Sequence, residues 1–497
     1  MFAPTSIILI FLATALGQLS HPGPTLISCL TDNGLNVEGS QSPNWQNSTT
    51  PFNTRFHYTP AAIVYPAKKN DVSKAVQCAV KFGIHVSALS GGHSYSASGY
   101  GSRNGALVIM FRDMAQISYN SSDGTAAIQP GARLGDVALE LHDKYGRAMA
   151  HGTCPYVGLG GHAGFGGWGV ASRNWGLLID QVVAADLVLA NGTIIYVSKT
   201  QHTDLFWAIR GASSSFGIVT QYTFQTHQAP TSVVRYSYSF NNPDLSANKF
   251  ATLILAYQNW AFTAPKEMGI IANVWEGGRV VEVGGYYMGS LADFNRSVSA
   301  LLLKATGTPS TTFIQERDWI SALIEVNGGS PLSTKGTPDV HDTFFAKSLV
   351  VPTISPLTSS ALSALATYFT NTQIPDTLSW FIQFELWGGG NSAISSVAST
   401  ATAYPHRTDL FTVQFYVRST AAWPTQGLAF GNGLVSAITN TMKTTVFGAY
   451  ANYLDPQLIG WREKYYAGNY ALLATIQKEV DPKGVFMKAQ NIGAPDS

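Results

Sequence analysis

The stretch HGTCPYVGLGGHAGFGGWG, His151 to Gly169, is the most glycine-dense run of the chain and holds a cysteine with no evident partner. Glycine at this density lets backbone approach a flat or phosphorylated ligand, because no side chain intervenes and positive φ costs little. Upstream, a second such run, LSGGHSYSASGYGSRNG from Leu89 to Gly105, sets His93 behind two glycines in a loop that follows a short apolar segment. Cys154 and His93 each stand at the edge of a glycine-rich cradle, an arrangement suited to tying a flat cofactor down from both ends. A zinc site built on His151, Cys154 and His162 is excluded, because no further cysteine lies near enough to complete a four-ligand set. Gly164, Gly166 and Gly169 match the spacing of the dinucleotide fingerprint. A glycine run precedes them, however, and that fingerprint needs strand, turn and helix around it.

With GGHSY at Gly91 to Tyr95, HGTCPYVGLGGH at His151 to His162 and ANYLDP at Ala451 to Pro456, the chain resembles the berberine-bridge-enzyme-like flavoproteins of the vanillyl-alcohol-oxidase group. Within that group it is most similar to the secreted fungal gluco- and chito-oligosaccharide oxidases, from about Pro51 to the C-terminus. The resemblance implies an α+β fold with a two-lobed FAD-binding domain, plus a substrate domain whose antiparallel sheet is flanked by helices. It also implies FAD bonded to His93 at the 8α-methyl and to Cys154 at C6 of the ring. Gly91, Gly92, Ser94, Gly158 and Gly161 would form the surrounding cradle. Carried over in the same way, Gly217 and Val219 border the adenine half, Tyr450 and Asn452 lie beside the flavin, and Tyr453 is the catalytic base.

Composition agrees with a neutral polar ligand. The chain has 497 residues, 45% of them apolar, which implies two or three lobes. Charged residues make up only 12% and the formal net charge is +1, so a nucleic-acid partner is not expected. Aromatics interleaved with Gly, Ser, Thr and Asn suit a sugar. The opening MFAPTSIILIFLATALGQ has an apolar run from Ile7 to Leu16, then Ala15-Leu16-Gly17 at the spacing a signal peptidase prefers. A signal peptide over residues 1–23 is therefore expected, leaving a secreted monomer with no membrane span. In an oxidising compartment Cys29 and Cys78 can pair, and Cys154 is then the odd thiol. Sequons at Asn47, Asn120, Asn191 and Asn295 fit a glycosylated protein.

In chain order, AAIVY (Ala61 to Tyr65) reads as a strand. A helix N-capped by Asp71 follows, with Val72, Ala75, Val76, Ala79 and Val80 on one face and Gly83 as its stop. The strand His85 to Leu89 then enters the His93 loop, whose free N–H groups after Ser90 can cradle the pyrophosphate without a lysine. Strands are expected at Ala106 to Phe111 and Thr125 to Gln129, and a helix at Leu134 to Tyr145. Gln181 to Ser198 reads as a hairpin around Asn191-Gly192. A domain boundary is expected near Thr231, dividing the chain into FAD-binding segments 24–230 and 446–497 and a substrate domain 231–445. In SWFIQFELWGGG, Trp380, Ile382, Phe384 and Leu386 share one strand face while Phe381, Gln383 and Glu385 share the other. In DLFTVQFYV the same parity groups Thr412, Gln414 and Tyr416. Such an amide-, carboxylate- and phenol-lined face suits a carbohydrate floor. The final helix, Tyr470 to Val480, is expected to bury Leu472, Leu473, Ile476 and Val480.

FAD accepts a hydride from a carbon bearing a hydroxyl if something removes the hydroxyl proton. A free tyrosine, with pKa near 10, is a poor base at neutral pH and needs a partner. Glu385 stands where related oxidases carry aspartate, so a Tyr453–Glu385 relay is expected. Gln383 and Gln414 would orient the sugar, and Tyr95 would cover one side of the cleft. The expected reaction is oxidation of an anomeric hydroxyl of an oligosaccharide to the lactone, with electrons passed to oxygen. Leu159 replaces a valine common in related oxidases and could slow oxygen access, which would favour a dehydrogenase using quinones or a redox protein. A small aromatic or secondary-metabolite alcohol oxidase of the same family is the other alternative.

Overall fold

The computed structural model describes residues 25–495. The signal segment expected over 1–23 lies outside the described residues. Among the described residues three larger sheets organise the chain, besides a two-stranded ribbon of Arg147–Ala148 and His227–Gln228, and each of the three follows from its sequence pattern. The first has four strands in the order Val37–Glu38, Ala62–Val64, Leu107–Met110, Val86–Leu89. Leu107–Met110 pairs in parallel with both Ala62–Val64 and Val86–Leu89. The parallel strands are joined by the helix Lys69–Lys81, which buries Val72, Ala75, Val76 and Ala79. Asp71 is not the N-cap but the third helical residue. Its carboxylate accepts the N–H groups of Ala67 at 3.1 Å and Lys68 at 3.3 Å, satisfying donors that the helix itself leaves free. The Cys29–Cys78 disulfide fastens the first helix, Leu26–Asp32, to this one.

The second sheet is antiparallel, in the order Ile117–Asn120, Thr125–Ile128, Ile218–Gln225, Val182–Val188, Ile194–Ser198. The hairpin expected at Asn191-Gly192 is present, with Gly192 at φ +83°. Residues after Phe447 return to this lobe. Ala449, Trp461, Leu473 and Ile476 share a core with Leu134, Leu159 and Phe206. Leu472, expected to be buried, is 52% exposed. The helix Tyr470–Val480 docks through a narrower stripe, and Leu472 falls on its water-facing side.

The third sheet has seven strands, all antiparallel: Thr311–Arg317, Val233–Asn241, Val280–Tyr287, Met268–Trp275, Leu378–Leu386, Asp409–Ser419, Phe344–Pro352. One face is sealed by the helices Ala247–Ala261, Ser359–Asn371 and Thr425–Thr439, whose Ile254, Leu362, Leu365 and Leu434 pack on Trp380, Ile382, Phe384 and Leu386. Each apolar side chain so buried contributes about 1.5–3 kcal/mol. The opposite face, with Phe381, Gln383 and Glu385, therefore remains for the first lobe to cover. The lobes are bolted together by Arg173, whose buried guanidinium donates to the carbonyls of Ala264, Pro265, Met268, Gly388 and Gly389.

Candidate active site

The two glycine-rich runs meet backbone to backbone. A Cβ on Gly91 would lie 2.2 Å from the Gly158 nitrogen, and one on Gly158 would lie 2.1 Å from the Gly91 nitrogen, so neither position tolerates a side chain. Together with the sheet face of the second lobe they enclose a cavity of about 460 Å³. His93 and Cys154 both line it, as do Gly92, Ser94, Gly161, Gly217 and Val219. Gly161 faces open space, with no atom within 4 Å of the place its Cβ would take. Burial holds the Cys154 thiol above its ordinary pKa, opposed by the N–H groups of Tyr156 and Val157. Burial also pulls His93 down, opposed by its hydrogen bond to Asp339.

The second lobe supplies the other wall. Gln383 and Gln414 stand directly opposite one another in register, next to the pair Glu385 and Thr412. All of Gln383, Gln414 and Glu385 line the cavity. The Gln383 amide donates to Asn273 Oδ1 at 2.8 Å, and that of Gln414 donates to the Tyr95 hydroxyl at 2.7 Å. The Tyr95 ring lies flat on that of Tyr453, with centroids 5.5 Å apart and planes 3° from parallel. Outward from Gln383, Phe381 stacks on Tyr416 at 4.8 Å and leans on Trp275 at 5.2 Å, extending an aromatic wall along the sheet.

Between the walls sits the turn Tyr450 to Tyr453. The Tyr450 hydroxyl accepts the backbone N–H groups of Gly167 at 2.9 Å and Trp168 at 3.1 Å, and the amide of Asn452 at 3.0 Å. Asn452 also donates to the carbonyl of His162 at 3.2 Å, so both residues pin the turn to the central glycine run. The Tyr453 hydroxyl donates to Glu385 Oε1 at 2.5 Å, and Trp387 Nε1 donates to Glu385 Oε2 at 3.2 Å. Burial pushes Glu385 up to about 8 against these two hydrogen bonds, and burial beside Glu385 raises Tyr453 well above its ordinary value. The longer side chain of glutamate thus reaches the Tyr453 hydroxyl directly.

Leu159 is not among the side chains that line the cavity. It is fully buried in the core of the second sheet's lobe, and only its neighbours Gly158 and Gly160 reach the cavity. An oxygen gate at this residue is therefore not what the structure displays. The structure adds a lysine to the expected cradle of N–H groups. Lys488 is buried, lines the cavity, and is pushed down to about 8 by burial. It has no carboxylate partner among the described residues, and its ammonium donates only to the carbonyl of Ser98, at 3.3 Å. Nearby, the buried Gln490 Oε1 has no hydrogen-bond partner. A buried cation awaiting an anion, an orphaned acceptor and an open glycine face fit a dinucleotide flavin. His162, weighed from the sequence only as a zinc ligand, also belongs to the site. It lines the cavity, accepts the Gly152 N–H at 2.9 Å and is held neutral by burial, at about 3. The only sequence signal for Lys488 was a lone lysine among the apolar and amide residues near the C-terminus.

Residues 60–198 match an FAD binding domain family, and residues 449–493 match the berberine and berberine-like family. The chain is 36% identical to chitooligosaccharide oxidase of Gibberella zeae over 94% of each chain. It is 38% identical to FAD-linked oxidoreductase dpmaF of Metarhizium anisopliae, over 94% of this chain and 91% of that one. Among solved structures, glucooligosaccharide oxidase from Acremonium strictum, described with a 6-S-cysteinyl, 8 alpha-N1-histidyl FAD, superposes with a TM-score of 0.87 at 33% identity, covering 94% of this chain and 99% of that one.

Proposed function

From the premise that the chain belongs to the FAD-linked oxidoreductases that join an FAD binding domain to a berberine-like segment, we propose that it oxidises the anomeric C1 hydroxyl of an oligosaccharide to the lactone, with dioxygen as electron acceptor. The observation that carries this reading is the Tyr453–Glu385 hydrogen bond at one end of a cavity that also holds His93 and Cys154. Segments 24–230 and 446–497 hold FAD, bonded through His93 and Cys154, and segment 231–445 holds the sugar. Bound FAD supplies the acceptor for the hydride that leaves C1.

This chain's residues do the rest. The Tyr453 oxygen takes the C1 hydroxyl proton while its own proton passes to Glu385, so the charge ends on no phenolate. A carboxylate pushed up to about 8 accepts that proton more readily than an ordinary one. Trp387 holds the second carboxylate oxygen and fixes the orientation of the first. Gln383 and Gln414 present amides to the ring hydroxyls, and the half-buried Phe381 and Trp275, which lean on one another beyond Gln383, give a further sugar unit an aromatic surface. Lys488 and the N–H groups beyond Ser90 take the pyrophosphate.

Action outside the cell is supported by the Cys29–Cys78 disulfide and by the exposure of all four sequon asparagines, Asn47, Asn120, Asn191 and Asn295. No helix among the described residues is long and apolar enough to cross a membrane. The test is a panel of cello-, malto-, xylo- and chito-oligosaccharides alongside aromatic alcohols, with flavin bleaching and hydrogen peroxide both followed. Aldonic acid and peroxide from at least one sugar series are expected. Bleaching by aromatic alcohols alone would refute the sugar assignment, and bleaching by a sugar without reoxidation in air would refute the acceptor.

A further inference from the structure

Residues 334–342 of the second lobe form a strap that crosses back over the first lobe, between the helix Trp319–Val326 and the strand Phe344–Pro352. The proposed reaction makes no use of it. Several ties hold it down. The Thr334 N–H donates to Asp136 Oδ1 at 3.1 Å, and the Tyr156 hydroxyl donates to the Thr337 carbonyl at 3.2 Å. His341 Nδ1 donates to the Pro51 carbonyl at 2.7 Å, and the Asp342 N–H donates to that of Phe52 at 2.8 Å. Between these ties lies Asp339, whose Oδ2 is 2.7 Å from His93 Nε2.

The surroundings of His93 are equally ordered. Phe52 stacks on the imidazole with centroids 4.1 Å apart and planes 17° from parallel. Arg133 Nη1 donates to the carbonyl of Gly91 at 2.6 Å and also to that of Tyr156, so one guanidinium clasps the His93 loop to the Cys154 loop. The same nitrogen lies 3.9 Å from Asp339 Oδ2. An ionised carboxylate only accepts hydrogen bonds, so His93 gives its Nε2–H to Asp339 and keeps a lone pair on Nδ1. Among the described residues Nδ1 has no hydrogen-bond partner, and the ring lines the cavity. A mere fastener for the strap would duplicate others already in place. It would also gain little from a buried imidazole whose charged form burial disfavours.

The geometry points to Asp339 as the positioning residue for covalent flavin attachment: it sets the tautomer that leaves Nδ1 nucleophilic and receives the Nε2 proton afterwards. This rests on the reading of His93 as an attachment residue. In the step, a bond forms between Nδ1 and the 8α carbon as a C–H bond of the 8α-methyl breaks and its proton leaves. The electron pair passes to the ring, and the Nε2 proton passes to Asp339. Dioxygen, the acceptor proposed above, then takes two electrons and two protons as hydrogen peroxide. Because Asp339 belongs to the second lobe, histidyl attachment waits until the two lobes have docked.

The test compares the intact protein with Asp339→Asn and Asp339→Glu, by mass spectrometry of the peptides carrying His93 and Cys154 during incubation with FAD. Both peptides are expected to be modified in the unaltered protein. In Asp339→Asn the His93 adduct should form about tenfold or more slowly, while the Cys154 adduct and the thermal midpoint are kept, and Asp339→Glu should restore part of the rate. Attachment to His93 at the unaltered rate in Asp339→Asn overturns the proposal. So does loss of both adducts at an unchanged midpoint, which would make Asp339 a general cofactor-retaining residue. A His93 peptide without flavin in the unaltered protein instead overturns the attachment reading beneath it. One further measurement needs no variant: the aminoacyl-flavin released by proteolysis should be linked through Nδ1, and linkage through Nε2 overturns the proposal even if Asp339→Asn does not fold.

Discussion

Tyr453 and Glu385, 68 residues apart in the chain, share a hydrogen bond of 2.5 Å across the junction of the two lobes. Neither is an effective base alone, since burial raises the pKa of the phenol and keeps the carboxylic acid mostly protonated at neutral pH. As a pair they would, in the proposed reaction, move one proton inward from the cavity. Glu385→Gln removes the acceptor while preserving shape, and kcat/KM should fall by about 10²–10⁴. Steady-state kinetics on the best oligosaccharide check this, with flavin content measured in parallel to show that the cofactor is retained.

The pH profile follows from the same pair. Only the ionised form of Glu385 can accept the proton, so kcat/KM should rise with pH through an apparent pKa near 8, which belongs to the pair. Stability runs the other way. The folded protein holds a proton on Glu385 that the unfolded chain releases around the ordinary value of 4.5, so stability is fully present below that pH and declines as pH rises towards 8. Glu385→Gln should flatten that decline, which thermal melts between pH 4 and 9 would record.

Lys488 makes a separate prediction. In a His93→Ala, Cys154→Ala background, where FAD binds without bonds to the protein, adding Lys488→Met should weaken FAD binding about tenfold or more, with a shallower salt dependence. Fluorescence titration at two ionic strengths is the measurement. An unchanged Kd would mean that Lys488 does not meet the pyrophosphate.

Arg173 should matter for stability rather than chemistry. Its guanidinium satisfies five carbonyls in the lobe junction. Arg173→Met strands those acceptors away from water and should cost about 3 kcal/mol or more. Denaturant unfolding would show a lower midpoint, with residual activity of the folded fraction close to that of the unaltered protein.

How much of this was legible beforehand differs from residue to residue. The hairpin at Asn191-Gly192 and the face parity of Gln383, Glu385 and Gln414 were readable because turn chemistry and the period of two are local properties of the backbone. Asp71 sits a few residues from the expected N-cap, since a carboxylate that accepts N–H groups from the third helical position leaves almost the same sequence trace as an N-cap. Leu472 departs from the expected burial because a helical stripe predicts a buried face but not its width. Leu159 sits inside a readable motif, but which way its side chain points depends on the core beneath it.

By itself the sequence determined the residue types that chemistry requires: two nucleophiles in glycine runs, a tyrosine in the returning segment, and a strand whose alternate positions carry amides and a carboxylate. Only the tertiary structure decided that Glu385 meets Tyr453, that Lys488 enters the cavity from near the C-terminus, and that Asp339 reaches His93 over a strap with no regular structure of its own. The reason is physical. Local propensities act over a few residues, whereas these contacts join segments separated by 68, 390 and 246 positions and exist only once two lobes have buried their facing surfaces.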